Sequence, residues 1–97
     1  MIAWQELAPG HWQLAGSLNF ETAQKSYKQG QRLVEQNRAP IFDLSGVEQC
    51  DSAGLATLIG WISFSQRLNR ALRLTNIPPQ LHALAKISDC ESLLAFD

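Results

Sequence analysis

The stretch from Pro40 to Leu55 limits what this chain can fold into more than any other. Pro40-Ile41-Phe42-Asp43-Leu44 is apolar enough for a strand inside a sheet, and Ser45-Gly46-Val47 reads as its exit. Asp51-Ser52-Ala53-Gly54-Leu55 then opens a helix in which Leu55, Leu58, Ile59 and Ile62 recur at the spacing that lays apolar side chains along one stripe. A buried strand passing into an amphipathic helix is the first part of a β-α-β unit, so a layered α/β fold is expected. Ser52 falls at or beside the helix N-cap, where its oxygen can accept from an unpaired backbone N–H. Capping alone would account for Asp51 or Ser52, and the rest of the chain has to supply any reason for more.

The remaining segments fit around that unit. Ile2 to Leu7 and Trp12 to Leu18 alternate in part and are separated by Pro9-Gly10, which predicts an opening hairpin. A polar helix is expected from Asn19 or Glu21 to about Gln36, with Ala23, Tyr27, Gly30 and Val34 as a narrow apolar stripe. Gly30 weakens such a helix by about 1 kcal/mol relative to alanine, so a close neighbour is expected there. The strand proper is expected over Ile41 to Leu44, the second helix from Ser52 to about Asn69, a further strand over Ala71 to Thr75, and a third helix from Gln80 to Ile87. Asp89 to Asp97 contains Leu93-Leu94-Ala95-Phe96, enough for a last short strand or docked turn. The order β-β-α-β-α-β-α predicts a mainly parallel four- to five-stranded sheet with an opening hairpin and three helices. In such sheets the loops at the carboxyl ends of the strands build the site, and the Asp51-Ser52 loop is one of them.

The second helix carries a second apolar stripe, Thr57, Trp61, Phe64 and Leu68. A small one-sheet domain needs to bury one stripe of each helix, so Trp61 and Phe64 are candidates either for a partner surface or for the domain's own core.

Composition narrows the function classes. With 97 residues, 45% hydrophobic and 18% charged, the chain is expected to form one domain over residues 1–97. Eight Lys and Arg against nine Asp and Glu leave a net charge of -1 with no basic block, which argues against a nucleic-acid partner. Cys50 and Cys90 are far apart with no zinc-ligand spacing, and are expected as free thiols in a reducing compartment. No secretory leader or spanning segment is visible, so the expected location is cytoplasmic, with any membrane association made through a partner.

Enzyme motifs are missing. There is no GxxxxGK[ST] phosphate loop and no GxSxG elbow, and His11 and His82 have no local pattern linking them to Ser52. Asp43 and Asp51 flank the expected strand exit and could imitate a magnesium pair, but Asp51 as helix cap and Asp43 as a partner of the loop backbone are the simpler roles. Glu48 is read as a solvated loop carboxylate. No metal site, no cofactor and no catalytic residue is expected.

The paired motifs Asp43-Leu44-Ser45-Gly46-Val47 and Asp51-Ser52-Ala53-Gly54-Leu55 resemble the D-L-S-x-V and D-[ST]-x-G-L pattern of the STAS domain family, and the likeness in element order covers nearly the whole chain. Leu55 to Leu68, Leu74-Thr75-Asn76-Ile77-Pro78 and Leu81 to Ile87 are similar to the MlaB-like branch, the small STAS subunits of phospholipid-transporting ABC complexes. The resemblance implies a non-catalytic cytoplasmic subunit. Such a subunit binds and supports an ABC-type ATPase, and through it a membrane permease, in a complex that maintains outer-membrane lipid asymmetry. It implies that Ser52 lies at the partner interface, supported by Asp51, Ala53 and Gly54. The alternative it carries is an anti-sigma factor antagonist, in which the residue matching Ser52 is phosphorylated as a partner switch.

Overall fold

The computed structural model describes residues 2–87. The expected terminal strand and Cys90 lie outside the described residues. The strands and helices follow in the order β1 (Ile2–Ala8), β2 (His11–Leu18), α1 (Ala23–Gln36), β3 (Ile41–Cys50), α2 (Ser52–Arg67), β4 (Arg73–Thr75) and α3 (Pro79–Ile87). The four described strands form one sheet in sequence order. β1 pairs antiparallel with β2 through the Pro9-Gly10 turn, where Gly10 takes φ +76°, and β2–β3 and β3–β4 are parallel. Two crossovers stepping in the same direction, with the right-handed sense such connections take, leave α1 and α2 on one face of the sheet. The two helices duly touch, as the Trp61 indole N–H reaches the Tyr27 carbonyl.

β3 is longer than the sequence suggests. Its apolar period breaks at Ser45-Gly46, which reads as an exit, yet pairing with β2 continues to Leu18↔Cys50. The registers Gln13↔Asp43, Ala15↔Gly46 and then Gly16↔Val47, Ser17↔Gln49 each add one residue to β3, the signature of two bulges. The first carries Leu44 and Val47, three residues apart, onto the same buried face. Glu48 consequently lies exposed on a strand instead of in a loop.

α1 begins later than expected, at Ala23. Asn19 folds the preceding residues into a turn, its Oδ1 accepting from the N–H groups of Glu21 (3.0 Å) and Thr22 (3.2 Å), while the Thr22 hydroxyl donates to the Ser17 carbonyl at 2.7 Å. Asparagine offers the backbone this alternative to helix.

The core forms where the helices meet the sheet. Leu14, Phe42 and Leu44 from the strands meet Val34, Leu58 and Trp61 from the helices, all fully buried. Trp61 is the centre of an aromatic group, 5.2 Å from Phe42 and 5.4 Å from Trp4 between ring centroids. Such pairs add roughly 0.5–1.5 kcal/mol beyond the area they bury. Gly30 is the concession α1 makes to this ring. A Cβ built there would fall among the indole atoms of Trp61, so only glycine lets the two helices approach as they do.

Candidate functional site

β2 and β3 end together at Leu18 and Cys50, which brings the loop leading into α1 beside the start of α2. Asp51 is the N-cap of α2. Its backbone is extended (φ -132°), and its Oδ1 accepts from Ala53 N–H at 2.9 Å and Gly54 N–H at 3.4 Å. Its second oxygen, Oδ2, accepts from Phe20 N–H at 3.3 Å. One carboxylate thus satisfies the orphan Ala53 donor of α2, shares the Gly54 N–H with the Asp51 backbone carbonyl (3.0 Å), and ties the β2–α1 loop to the helix start. With Asp51 acting as the cap, the Ser52 hydroxyl is not needed for it, and Ser52 is exposed. Gly54 is buried where any side chain would meet the Leu18 carbonyl, so α2 can enter this close to β2 only with glycine there.

Two open apolar grooves flank this corner. One, about 460 Å³, runs between α1 and α2 and is lined by Phe20, Tyr27, Ala53, Ala56 and Gly60 among others. The other, about 450 Å³, lies between the start of α2 and α3, with Cys50, Ser52, Gln80, Ala83, Leu84 and Ile87 along it. Phe20 is 85% exposed and Ile87 83%, the two most exposed large hydrophobics among the described residues. Ser52 therefore sits among mostly apolar surroundings, with the Asp51 carboxylate beside it on the same groove. Neither Phe20 nor Ile87 was singled out from the sequence; a lone Phe beside a polar helix start gives no periodic signal.

Trp61 corrects the sequence reading. It is fully buried, with its indole N–H donating to the Tyr27 carbonyl at 3.1 Å, and cannot reach a partner. The premise that α2 has one inward stripe fails because α1 and α3 both pack against it, so most of its circumference is covered. Phe64 is half-buried against the core, with the Arg67 guanidinium 5.6 Å above its ring. It lies roughly 18 Å along the helix from Ser52 at about 1.5 Å per residue, so the two do not form one site. Asp51, Ser52, Ala53 and Gly54, by contrast, are together at the strand end as the motif implies.

A family model described as "Mlab, STAS domain" matches residues 5–95. The chain belongs to the STAS domain family. No curated protein matches it. Among solved structures, it is similar to a putative anti-sigma factor antagonist from Thermotoga maritima, with TM-score 0.76 and 15% identity, over 99% of this chain and 85% of that one. It is also similar to the anti-sigma factor antagonist SpoIIAA in its unphosphorylated form, with TM-score 0.71 and 12% identity over 100% and 88% of the two chains. The phosphorylated form of SpoIIAA, described as a Bacillus cell fate determinant, gives 0.70 and 12% over 100% and 91%. These likenesses establish the fold, a four-stranded sheet with three helices.

STAS domains are in general binding and regulatory modules that act through protein–protein contacts, and the geometry of this STAS domain agrees with that class. His11 pairs with Ile41 at the opposite end of β3, roughly 30 Å from Ser52 at about 3.3 Å per strand residue, too far to act as its base. Asp43 and Asp51 are separated in the same way, because the strand between them does not end at Leu44. Asp43 Oδ1 instead accepts from Ser45 N–H at 2.9 Å and from the Asn76 side-chain amide at 3.1 Å. Burial works to raise this carboxyl, but those bonds, with the Ser45 hydroxyl and nearby His11, outweigh it and hold the group below the usual range. The Cys50 thiol is pushed up, first by burial and then by the adjacent Asp51 carboxylate. Among the described residues no cluster of three or more His, Cys, Asp or Glu is placed to hold a metal ion, and no helix is long and apolar enough to cross a membrane.

Proposed function

We propose that this protein is the non-catalytic STAS subunit of an ABC-type phospholipid transporter, binding the cytoplasmic ATPase and supporting its activity. Through the ATPase it associates with a membrane permease, peripheral to the inner membrane, in a system that maintains outer-membrane lipid asymmetry. The observation that carries the reading is an exposed, uncharged Ser52 that its own helix does not need as a cap, set between two apolar grooves. Support for the transporter branch comes from the family model and its MlaB description.

A docking face of this kind works by exclusion of water. Ala53, Ala56 and Ala83 let a partner backbone come close, and Phe20 and Ile87 supply the large apolar area that dominates interface energy. A charge placed at position 52 would have to be desolvated on binding, so Ser52→Asp is the discriminating substitution. The expected result is loss of ATPase association by at least about tenfold with an unchanged circular dichroism spectrum. Wild-type affinity in a folded Ser52→Asp protein would overturn the reading.

A second reading is the anti-sigma-type phosphoswitch, favoured by an accessible hydroxyl at a helix N-terminus in a fold shared with both forms of SpoIIAA. A phosphate there gains from the helix dipole and adds nearly two negative charges to a largely apolar face whose nearest charge is the Asp51 carboxylate. Mass spectrometry of protein from its native cells separates the two. Stoichiometric phosphate on Ser52 supports the switch, and unmodified protein co-purifying with an ATPase and permease supports the transporter.

A further inference from the structure

Phe20 and Ser52 stand on different elements, yet a single side chain holds both. The β2–α1 loop is stapled internally by Asn19 and Thr22, which use the N–H groups of Glu21 and Thr22 and the Ser17 carbonyl. The Phe20 N–H points out of that turn and is received by Asp51 Oδ2, while Oδ1 of the same carboxylate caps α2. The capping duty needs one oxygen, and serine or asparagine would fill it as well as aspartate does. The second oxygen does something a cap does not require. It fixes the backbone of the most exposed large hydrophobic residue among the described residues against the helix terminus that presents Ser52.

We infer that Asp51 is a positioning residue for partner binding, and that its second oxygen holds Phe20 as the apolar anchor beside Ser52, so that loop and helix meet the ATPase as one preorganised surface. The inference rests on the docking reading above and adds to it Phe20 as a contact and Asp51 as the residue acting through it. Preorganisation of this sort raises affinity by removing the entropy cost of ordering the loop on binding.

The test uses Asp51→Ser, which keeps a capping oxygen for α2 and cannot also reach Phe20. In the isolated full-length protein, amide hydrogen exchange at Phe20 is expected to quicken several-fold in Asp51→Ser while Ala53, whose N–H is held by the capping oxygen, keeps its protection. Unchanged exchange at Phe20 would overturn the inference irrespective of any partner. For ATPase binding, Asp51→Ser and Phe20→Ala are each expected to weaken affinity by about tenfold, and the double variant by no more than about twofold beyond either single one. Additive losses would show that Asp51 does not act through Phe20 and would overturn the inference while leaving the docking face standing, provided Ser52→Asp still abolishes binding. Undiminished binding by Ser52→Asp would overturn the docking reading and this inference with it. Asp51→Asn supplies the control for folding: its one oxygen retains the cap, but its Nδ2 is a donor that cannot accept from Phe20, so its affinity is expected to match that of Asp51→Ser.

Discussion

The Trp61 indole N–H donates to the Tyr27 backbone carbonyl at 3.1 Å, a bond that joins α2 to α1 inside the core. That carbonyl belongs to a helix already committed to its own ladder, so the bond uses its second lone pair and satisfies a donor that would otherwise be buried without a partner. The pairing decides which aromatic of this domain is structural and which is free.

Substituting the two aromatics should separate those roles. Trp61→Ala removes a fully buried ring from the centre of the Trp4–Phe42 group and is expected to cost about 3–5 kcal/mol in urea unfolding. Phe20→Ala removes a ring that is 85% exposed and should change stability by less than about 0.5 kcal/mol. Equal losses for the two would mean that the Phe20 ring is part of the core.

Gly30→Ala tests the helix contact beneath that bond. Alanine is favoured over glycine in a helix by about 1 kcal/mol, but a Cβ at position 30 would overlap the Trp61 Nε1, Cε2 and Cζ2 atoms. The ring is buried and its N–H is tied to Tyr27, so it has nowhere to turn. Overpacking of this kind costs roughly 1–3 kcal/mol and, with three ring atoms in the way, should lie toward the upper end and win, giving a net loss of up to about 2 kcal/mol. Because the smaller phenyl ring vacates part of that space, the Gly30→Ala, Trp61→Phe double variant should be less destabilised than the sum of its parts. A stabilised Gly30→Ala would refute the packing described.

These residues also explain how far the sequence could be read. The start of α2 was legible because Asp51-Ser52-Ala53-Gly54 writes its capping chemistry into adjacent positions, and the weak helix position at Gly30 signalled a close neighbour, which proved to be Trp61. The identity of that neighbour was not legible, since it lies on another helix. Trp61 looked surplus because a single helix shows how many apolar faces it has, not how many elements will cover them. The length of β3 was hidden by bulges, which break the strand period in the same way a strand exit does. Phe20 was missed because its exposure depends on the Asn19 turn and on a carboxylate 31 residues away.

Asp43 provides a pH-dependent test of the strut between β3 and the segment after β4. Its carboxyl is held below the ordinary range in the folded protein, so it contributes stability above the unfolded chain's carboxylate pKa and loses that contribution as pH falls through the folded value. Wild type should therefore exceed Asp43→Asn in stability at pH 7, and the gap should shrink on going to pH 3. The measurement is urea denaturation of both proteins across that range. A gap that is constant, or that widens in acid, would contradict the assigned hydrogen bonds.

Cys50 offers a probe of the proposed docking face that leaves Ser52 untouched. Its thiol borders the α2–α3 groove together with Ser52, and burial plus the Asp51 carboxylate disfavour the thiolate. Since the thiolate is the reacting species, alkylation in a Cys90→Ser background should be slower at pH 7 than for a small free thiol and should accelerate as pH rises. Added ATPase ought to slow it further, because a partner seated over Ser52 would cover the adjoining groove. Asp51→Asn removes the neighbouring negative charge and should speed the reaction in the free protein, which distinguishes electrostatic suppression from simple burial. An alkylation rate indifferent to ATPase, under conditions where complex formation is verified independently, would place the contact away from this groove.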